Sequence, residues 1–205
     1  MESKQLEILE KAGEVFMRYG IKATTMDDLG KALGISKKTI YKYFKDKNDL
    51  VTQIVQAKTE LDKMVCQEAK LSAENAIDEM FRISRFVSEL FGNLSPSVFF
   101  DLQKYHHRAW GLMEQHKNNY VKAQVIENIE RGIKEGYYRS NLKSDIIATV
   151  YIASMDAIFD GTSFSSSKSS LSDIFIEIIR FQIRGMANDK GLTYLKKRIK
   201  KEADV

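Results

Sequence analysis

From Thr24 to Lys47 the chain reads TTMDDLGKALGISKKTIYKYFKDK, and this stretch constrains the fold more than any other. Thr25 followed by Asp28 is a capping-box pattern, in which hydroxyl and carboxylate each take a backbone N–H at a helix start. Leu29, Ala32 and Leu33 then recur at helical spacing and predict one apolar face. Gly34 follows the last of them, where glycine enters the left-handed region at little cost and ends a helix. Ile35 anchors the turn, and Ser36 is a good N-cap for a second helix from Lys37 to Tyr43. Ile40 and Phe44, four apart, face inward. That leaves Lys37, Lys38, Thr39, Tyr41, Lys42 and Tyr43 outward or at the flank of the buried face.

Two short helices joined by a tight turn form a helix-turn-helix, which lays its second helix in the major groove of DNA. The outward residues suit that task. Lysine donates to guanine edges or neutralises phosphate, threonine bonds a base or touches a thymine methyl, and tyrosine hydroxyls bond phosphate. Residues 31 to 47 hold six lysines and one acid, a net charge of +5, where the whole 205-residue chain carries only +4. A solvated lysine-rich face is the plain alternative, but it explains neither the caps nor the turn that coincide with the charge.

Residues 5 to 55 resemble the DNA-binding domain of TetR/AcrR-type transcriptional regulators. The resemblance rests on Ile8, Leu9, Ala12, Phe16 and Gly20, on the run from Thr24 to Leu29, on the run from Ala32 to Phe44, and on Lys47-Asn48-Asp49-Leu50. It departs at Gly30, where the family usually has alanine, and at Lys38, where many members carry a small residue or proline. The resemblance implies an all-α protein, with a three-helix DNA-binding domain over residues 1–46 and an effector-binding and dimerisation domain over 47–205. It implies DNA contacts by Thr25, Ser36, Lys37, Lys38, Thr39, Tyr41, Tyr43 and Lys47. Lys37, Lys38 and Thr39 would reach bases; Thr25 and Lys47 would hold phosphate. Tyr43 is equally placed to pack on the third helix.

The rest of the chain reads as helix. It has one proline, Pro96, expected at the first position of a helix after Ser95, and 43% apolar residues. A lone cysteine, Cys66, excludes an internal disulfide and fits a reducing compartment. No run of about 18 apolar residues predicts a membrane span. The N-terminus lacks the apolar core of a signal peptide, so the expected location is the cytoplasm. Asp46 with Asp49 caps a long fourth helix to about Leu71. Further apolar stripes run through Ile77–Phe91, Val98–Tyr105, Val121–Ile133, Ile146–Phe159 and Ile174–Met186, with a serine-rich loop from Gly161 to Ser172. The basic tail from Lys190 is either a short amphipathic helix or frayed.

The stripes at 146–159 and 174–186 are apolar on more than one side, which means burial on two sides. One side can face the chain's own core and the other a two-fold partner, with Ile147, Tyr151, Ile158, Ile174, Ile178 and Phe181 as interface candidates; a monomer with a thick core is the other reading. If the resemblance holds, Phe86, Phe99, Phe100, Trp110, Met113, Tyr120, Met155 and Phe159 line a pocket for a small hydrophobic effector; plain core is the other reading of that set. His106, His107 and His116 lack ligand spacing, and there is no phosphate loop, dinucleotide turn or nucleophile motif. The expectation is therefore no metal, no cofactor and no enzyme, and a repressor released from operator DNA by its effector. Two readings stand beside it: an effector-independent architectural DNA-binding protein, and a helical enzyme in residues 70 to 205.

Overall fold

The computed structural model describes residues 3–203 apart from Pro96 and Ser165. Pro96, the side chains of Lys201 and Glu202, and Asp204 therefore lie outside what is described. Among the described residues the fold is all-α. Helix α1 spans Ser3–Tyr19, α2 Met26–Leu33, α3 Lys37–Ile40, α4 Lys47–Ser72, α5 Ala76–Gly92, α6 Ser97–Tyr105 and α7 His107–Gln115. A π-helical turn, His116–Val121, leads into α8 (Lys122–Lys134), followed by α9 (Ser144–Phe159), α10 (Leu171–Met186) and α11 (Asp189–Ala203). The chain divides into two compact units. One takes the chain up to Asp62 with Asn93–His116 and Phe159–Gly161; the other takes Lys63–Gly92, Lys117–Ile158 and the chain from Thr162.

In the first unit, Ile8, Leu9, Ala12 and Phe16 of α1 meet Leu29 of α2, Ile40 and Phe44 around α3, and Leu50 of α4 in one buried cluster. Val98, Leu102 and Ala109 from α6 and α7 belong to the same cluster, so the packing that supports the helix-turn-helix reaches well past residue 46. Helix α2 turns Met26, Leu29 and Gly30 inward, while Ala32, expected on the apolar face, is exposed. The connector between α1 and α2 is held by side chains, because its carbonyls have no helix to serve them. The Thr24 hydroxyl donates to the Gly20 carbonyl at 2.8 Å, and the Lys22 N–H donates to Asp101 of α6 at 2.8 Å.

In the second unit, α5 packs against α8, α10 and α11. Its first turn is buried and carries two acids, Asp78 and Glu79, a costly arrangement unless both are paired. Asn75 Oδ1 accepts from the Ile77 and Asp78 N–H groups, and Glu135 of α8 accepts from the Ala76 N–H. Arg131 of α8 bonds Glu79 at 2.8 Å and Glu135 at 2.6 Å, and its guanidinium also donates to the Lys70 and Ala73 carbonyls at the end of α4. Arg82 and Arg198 take the two oxygens of Asp78 at 2.8 and 2.9 Å. Burial of Asp78 pushes its pKa up, but the bonds from these two arginines outweigh that, and the net shift is down.

The pair with Arg198 also settles the tail. Helix α11 lies against α5, with Leu195 buried and Tyr194 bonding Glu74, just before α5, at 3.0 Å, so α10 is not the last helix of the chain. The π-helical turn is the other element that periodicity missed. Its first two side chains are tied to different helices: His116 bonds Asp62 of α4 at 2.7 Å, while the buried Lys117 pairs with Asp156 of α9.

Gly132 of α8 sits against the ring of Tyr138, which is fully buried and donates its hydroxyl to Asn128 Oδ1 at 3.2 Å. A Cβ at position 132 would lie 2.1 Å from that ring. Gly132→Ala is therefore expected to destabilise the protein by roughly 2–3 kcal/mol through overpacking, despite the better helix propensity of alanine. Urea denaturation of the variant against wild type checks this; equal midpoints would contradict it.

Candidate nucleic-acid interface

The helix-turn-helix forms as its local chemistry dictates. The Thr25 side chain accepts from the Asp28 N–H at 3.1 Å, and Asp28 accepts from the Thr25 N–H at 2.9 Å. The Thr25 hydroxyl also donates to the Asp28 carboxylate at 2.6 Å, and this bond, then the one from the Thr25 N–H, lowers the pKa of Asp28 at the positive end of α2. Gly34 ends α2 at φ +66, and its N–H and that of Ile35 return to the Lys31 and Gly30 carbonyls at 3.2 and 2.9 Å. Ser36 accepts from the Thr39 N–H at 3.0 Å and so caps α3. Before α4, Asp46 accepts from the Asp49 N–H at 2.8 Å, and Asp49 accepts from the Lys45 N–H at 2.9 Å. Each such cap contributes about 1 kcal/mol.

Helix α3 is shorter than the expected Lys37 to Tyr43. Beyond Ile40 the bonds tighten to three-residue closures, Lys42 N–H to Thr39 and Tyr43 N–H to Ile40, the usual way a helix end winds down. Burial of Ile40 and Phe44 keeps the whole 37–44 segment on the core.

Of the eight predicted contact residues, Thr25, Ser36, Lys37, Lys38 and Tyr41 are exposed on this surface. Thr39 is half-buried, and its hydroxyl shares a proton with Ser36 Oγ at 2.8 Å. Tyr43 packs on the core cluster, as the sequence allowed. Lys47 departs from its expected role as a phosphate ligand. Its ammonium points inward and donates to the Ile21 and Thr24 carbonyls at 2.5 and 2.6 Å, and burial lowers its pKa. Those connector carbonyls need donors, and Lys47 supplies them. One neighbour of the surface carries no sequence signal of its own: Asp27 of α2 bonds the Lys37 ammonium at 2.8 Å, and this raises the pKa of that amine.

Residues 8–54, the span of α1 through the first turns of α4, match the model of the tetR family of bacterial regulatory proteins. Over that span the chain carries a DNA-binding domain of the tetR family. A likeness also runs along most of its length. It is 29% identical over 75% of this chain and 81% of its own to the uncharacterized HTH-type transcriptional regulator YhgD of Bacillus subtilis. It is 23% identical over 72% of this chain and 75% of its own to the HTH-type transcriptional repressor KstR2 of Mycobacterium tuberculosis. The regulator FadR from Bacillus subtilis, solved in complex with stearoyl-CoA, shares the fold at a TM-score of 0.64 and 19% identity, covering 88% of this chain and 98% of that one. The chain is thus a DNA-binding transcriptional regulator, and among its described residues no helix is long and apolar enough to cross a membrane.

The effector candidates fall in both units. In the first, Phe99 is buried and stacks on Phe159 with centroids 4.4 Å apart, while Trp110 and Met113 pack against the core cluster. Half the surface of Phe100 is exposed, beside Tyr105 and Lys104. In the second unit Met155 is buried, Phe86 is half-buried, and the Tyr120 hydroxyl donates to the Lys63 carbonyl at 3.3 Å. The interface candidates divide as well. Tyr151, Ile158 and Ile174 are buried in the chain's own core, and Ile147 and Ile178 are half-buried. Phe181 is 75% exposed, and with it Ile146 and Val150, which were not among the candidates. Two apolar sides per helix are present; periodicity alone did not tell which side each isoleucine takes.

His106, at the break between α6 and α7, is buried, and its Nδ1 finds no hydrogen-bond partner among the described residues. Burial, then the Lys47 charge, pulls its pKa down, with Asp101 acting the other way and His107 reinforcing Lys47. The unfolded chain takes up this proton near pH 6.5, the folded chain only below that. Stability is therefore expected to fall as pH drops below about 6.5. Urea midpoints at about pH 7.5 and pH 5.5 check the sign: His106→Gln should narrow the difference, and an unchanged difference would refute the assignment.

Proposed function

We propose that this chain is a repressor that binds a pseudo-palindromic operator as a homodimer and is released by a small hydrophobic effector. The observation that carries the reading is the exposed set Lys37, Lys38 and Tyr41 on a doubly capped helix-turn-helix. Lys37, Lys38 and Thr39 select bases; Thr25, Ser36 and Tyr41 bond phosphates. The relative KstR2 is a repressor and FadR is a regulator solved with stearoyl-CoA, which supports repression and an apolar effector. The effector lies among the half-buried aromatics of the middle helices. It acts by preferring a conformer that holds the two recognition helices off the ~34–36 Å spacing of successive major grooves.

Specific binding is expected at roughly 10⁻⁸ to 10⁻¹¹ M near physiological salt, weakening steeply as salt rises. Fluorescence anisotropy against a duplex selected from a random pool measures it. No selected sequence outcompeting bulk DNA would sink the operator reading. Stearoyl-CoA, tried as a first apolar probe alongside simpler acyl chains, should lower operator affinity wherever it binds; binding without release would remove the effector coupling.

For the dimer, α9 and α10 supply the contact through Ile146, Val150 and Phe181, the last the most exposed large apolar side chain among them. Phe181→Asp leaves the chain's own core untouched and is expected to weaken association by about 2 kcal/mol or more, as for a central aromatic anchor. Sedimentation velocity should then show a dimer for wild type and a monomer for the variant at the same concentration. A monomeric wild type would exclude the homodimer.

A further inference from the structure

The groove between α2 and α3, about 460 Å³, is bordered by Asp27 on one side and Lys37 on the other. It is narrow because of Gly30. A Cβ there would stand 2.9 Å from the Ile35 carbonyl oxygen and 3.4 Å from the Lys37 backbone nitrogen. Glycine lets the start of α3 lie against α2, which brings Asp27 within 2.8 Å of an ammonium ten residues later. Both side chains remain open to solvent, at 62% for Asp27 and 45% for Lys37.

A carboxylate on a surface that must meet phosphates works against affinity, so its presence beside the first residue of the recognition helix calls for an account. Lysine is a flexible point charge that settles on any phosphate within reach, and phosphates carry no sequence information. We propose that Asp27 is a positioning residue for base selection: it holds the Lys37 ammonium at the groove edge and repels phosphate, so that Lys37 commits to a base edge. An ammonium has three donors, which allows Lys37 to keep Asp27 while donating to guanine O6 or N7. An exposed pair biases an equilibrium by no more than about fivefold, enough to steer Lys37 without trapping it. The inference rests on the reading of Lys37 as a base contact.

The test compares affinity for a selected operator with affinity for bulk DNA, using the full chain at fixed salt. Asp27→Asn is expected to tighten binding to bulk DNA and to cut the specificity ratio roughly two- to fivefold, while Asp27→Glu keeps the ratio near wild type. With Lys37→Met already in place, Asp27→Asn should change both affinities by the same factor. If Asp27→Asn strengthens both DNAs equally in the wild-type background, or lowers the ratio equally in the Lys37→Met background, the inference is overturned. Lys37→Met on its own separates the two failures: an unchanged ratio there overturns the base role of Lys37 and the inference with it. A lowered ratio there leaves Asp27→Asn to decide the inference alone.

Discussion

The bonds from Lys47 to the Ile21 and Thr24 carbonyls are the constraint on which the reading head depends. The connector between α1 and α2 is not helical, and a buried carbonyl without a donor costs about 1–3 kcal/mol. Lys47 answers two of them from the first turn of α4. The Lys22 N–H on Asp101 and the Thr24 hydroxyl on Gly20 tie the same short segment from other directions. Thr25, the cap of α2, follows directly, so the start of α2 is fixed by residues far along the chain. A lysine that looks like one more DNA-facing cation instead places the helices that do face DNA.

The second unit relies on the same logic at greater density. Asp78 and Glu79 open α5 inside the protein, and three arginines from three positions meet them. Arg131 joins the end of α4 to α5 and α8 through four hydrogen bonds, and Glu135, one of its partners, also takes the Ala76 N–H. Removing one member of such a set strands a buried charge, which costs far more than the pair gains on forming. This unit is therefore joined by specific polar pairs as well as by apolar area.

Much of the fold was legible because its signals are local. Caps at Thr25, Ser36 and Asp46, the glycine at 34 and helical stripes are properties of a few adjacent residues; the caps and the glycine form as the residues predict, while Ala32 leaves the stripe of α2 for solvent and α3 stops at Ile40. What was not legible depends on partners distant in sequence. Nothing near Lys47 announces two carbonyls waiting more than twenty residues earlier, and nothing near Asp27 announces Lys37. The inserted residue of the π-helical turn leaves no periodic trace in six residues. On α9 and α10 the sequence revealed two apolar sides, but assigning Tyr151 and Ile158 to the core and Val150 to the surface needed the helices' rotation. Gly30, a mere propensity loss when read along the chain, proved to be a point of close approach.

The recognition helix is a single turn, and almost none of its cohesion comes from the residues that point outward. Ile40 and Phe44 bury it, Ser36 caps it, and Gly34 aims it. Lys37, Lys38 and Tyr41 stand on this support without bearing on the core. Exchange at those positions is thus nearly free of folding cost. A lineage carrying this scaffold can change which sequence it reads by substituting a handful of side chains, without first acquiring compensating changes in the interior, and paralogues that share every buried residue can answer to different promoters.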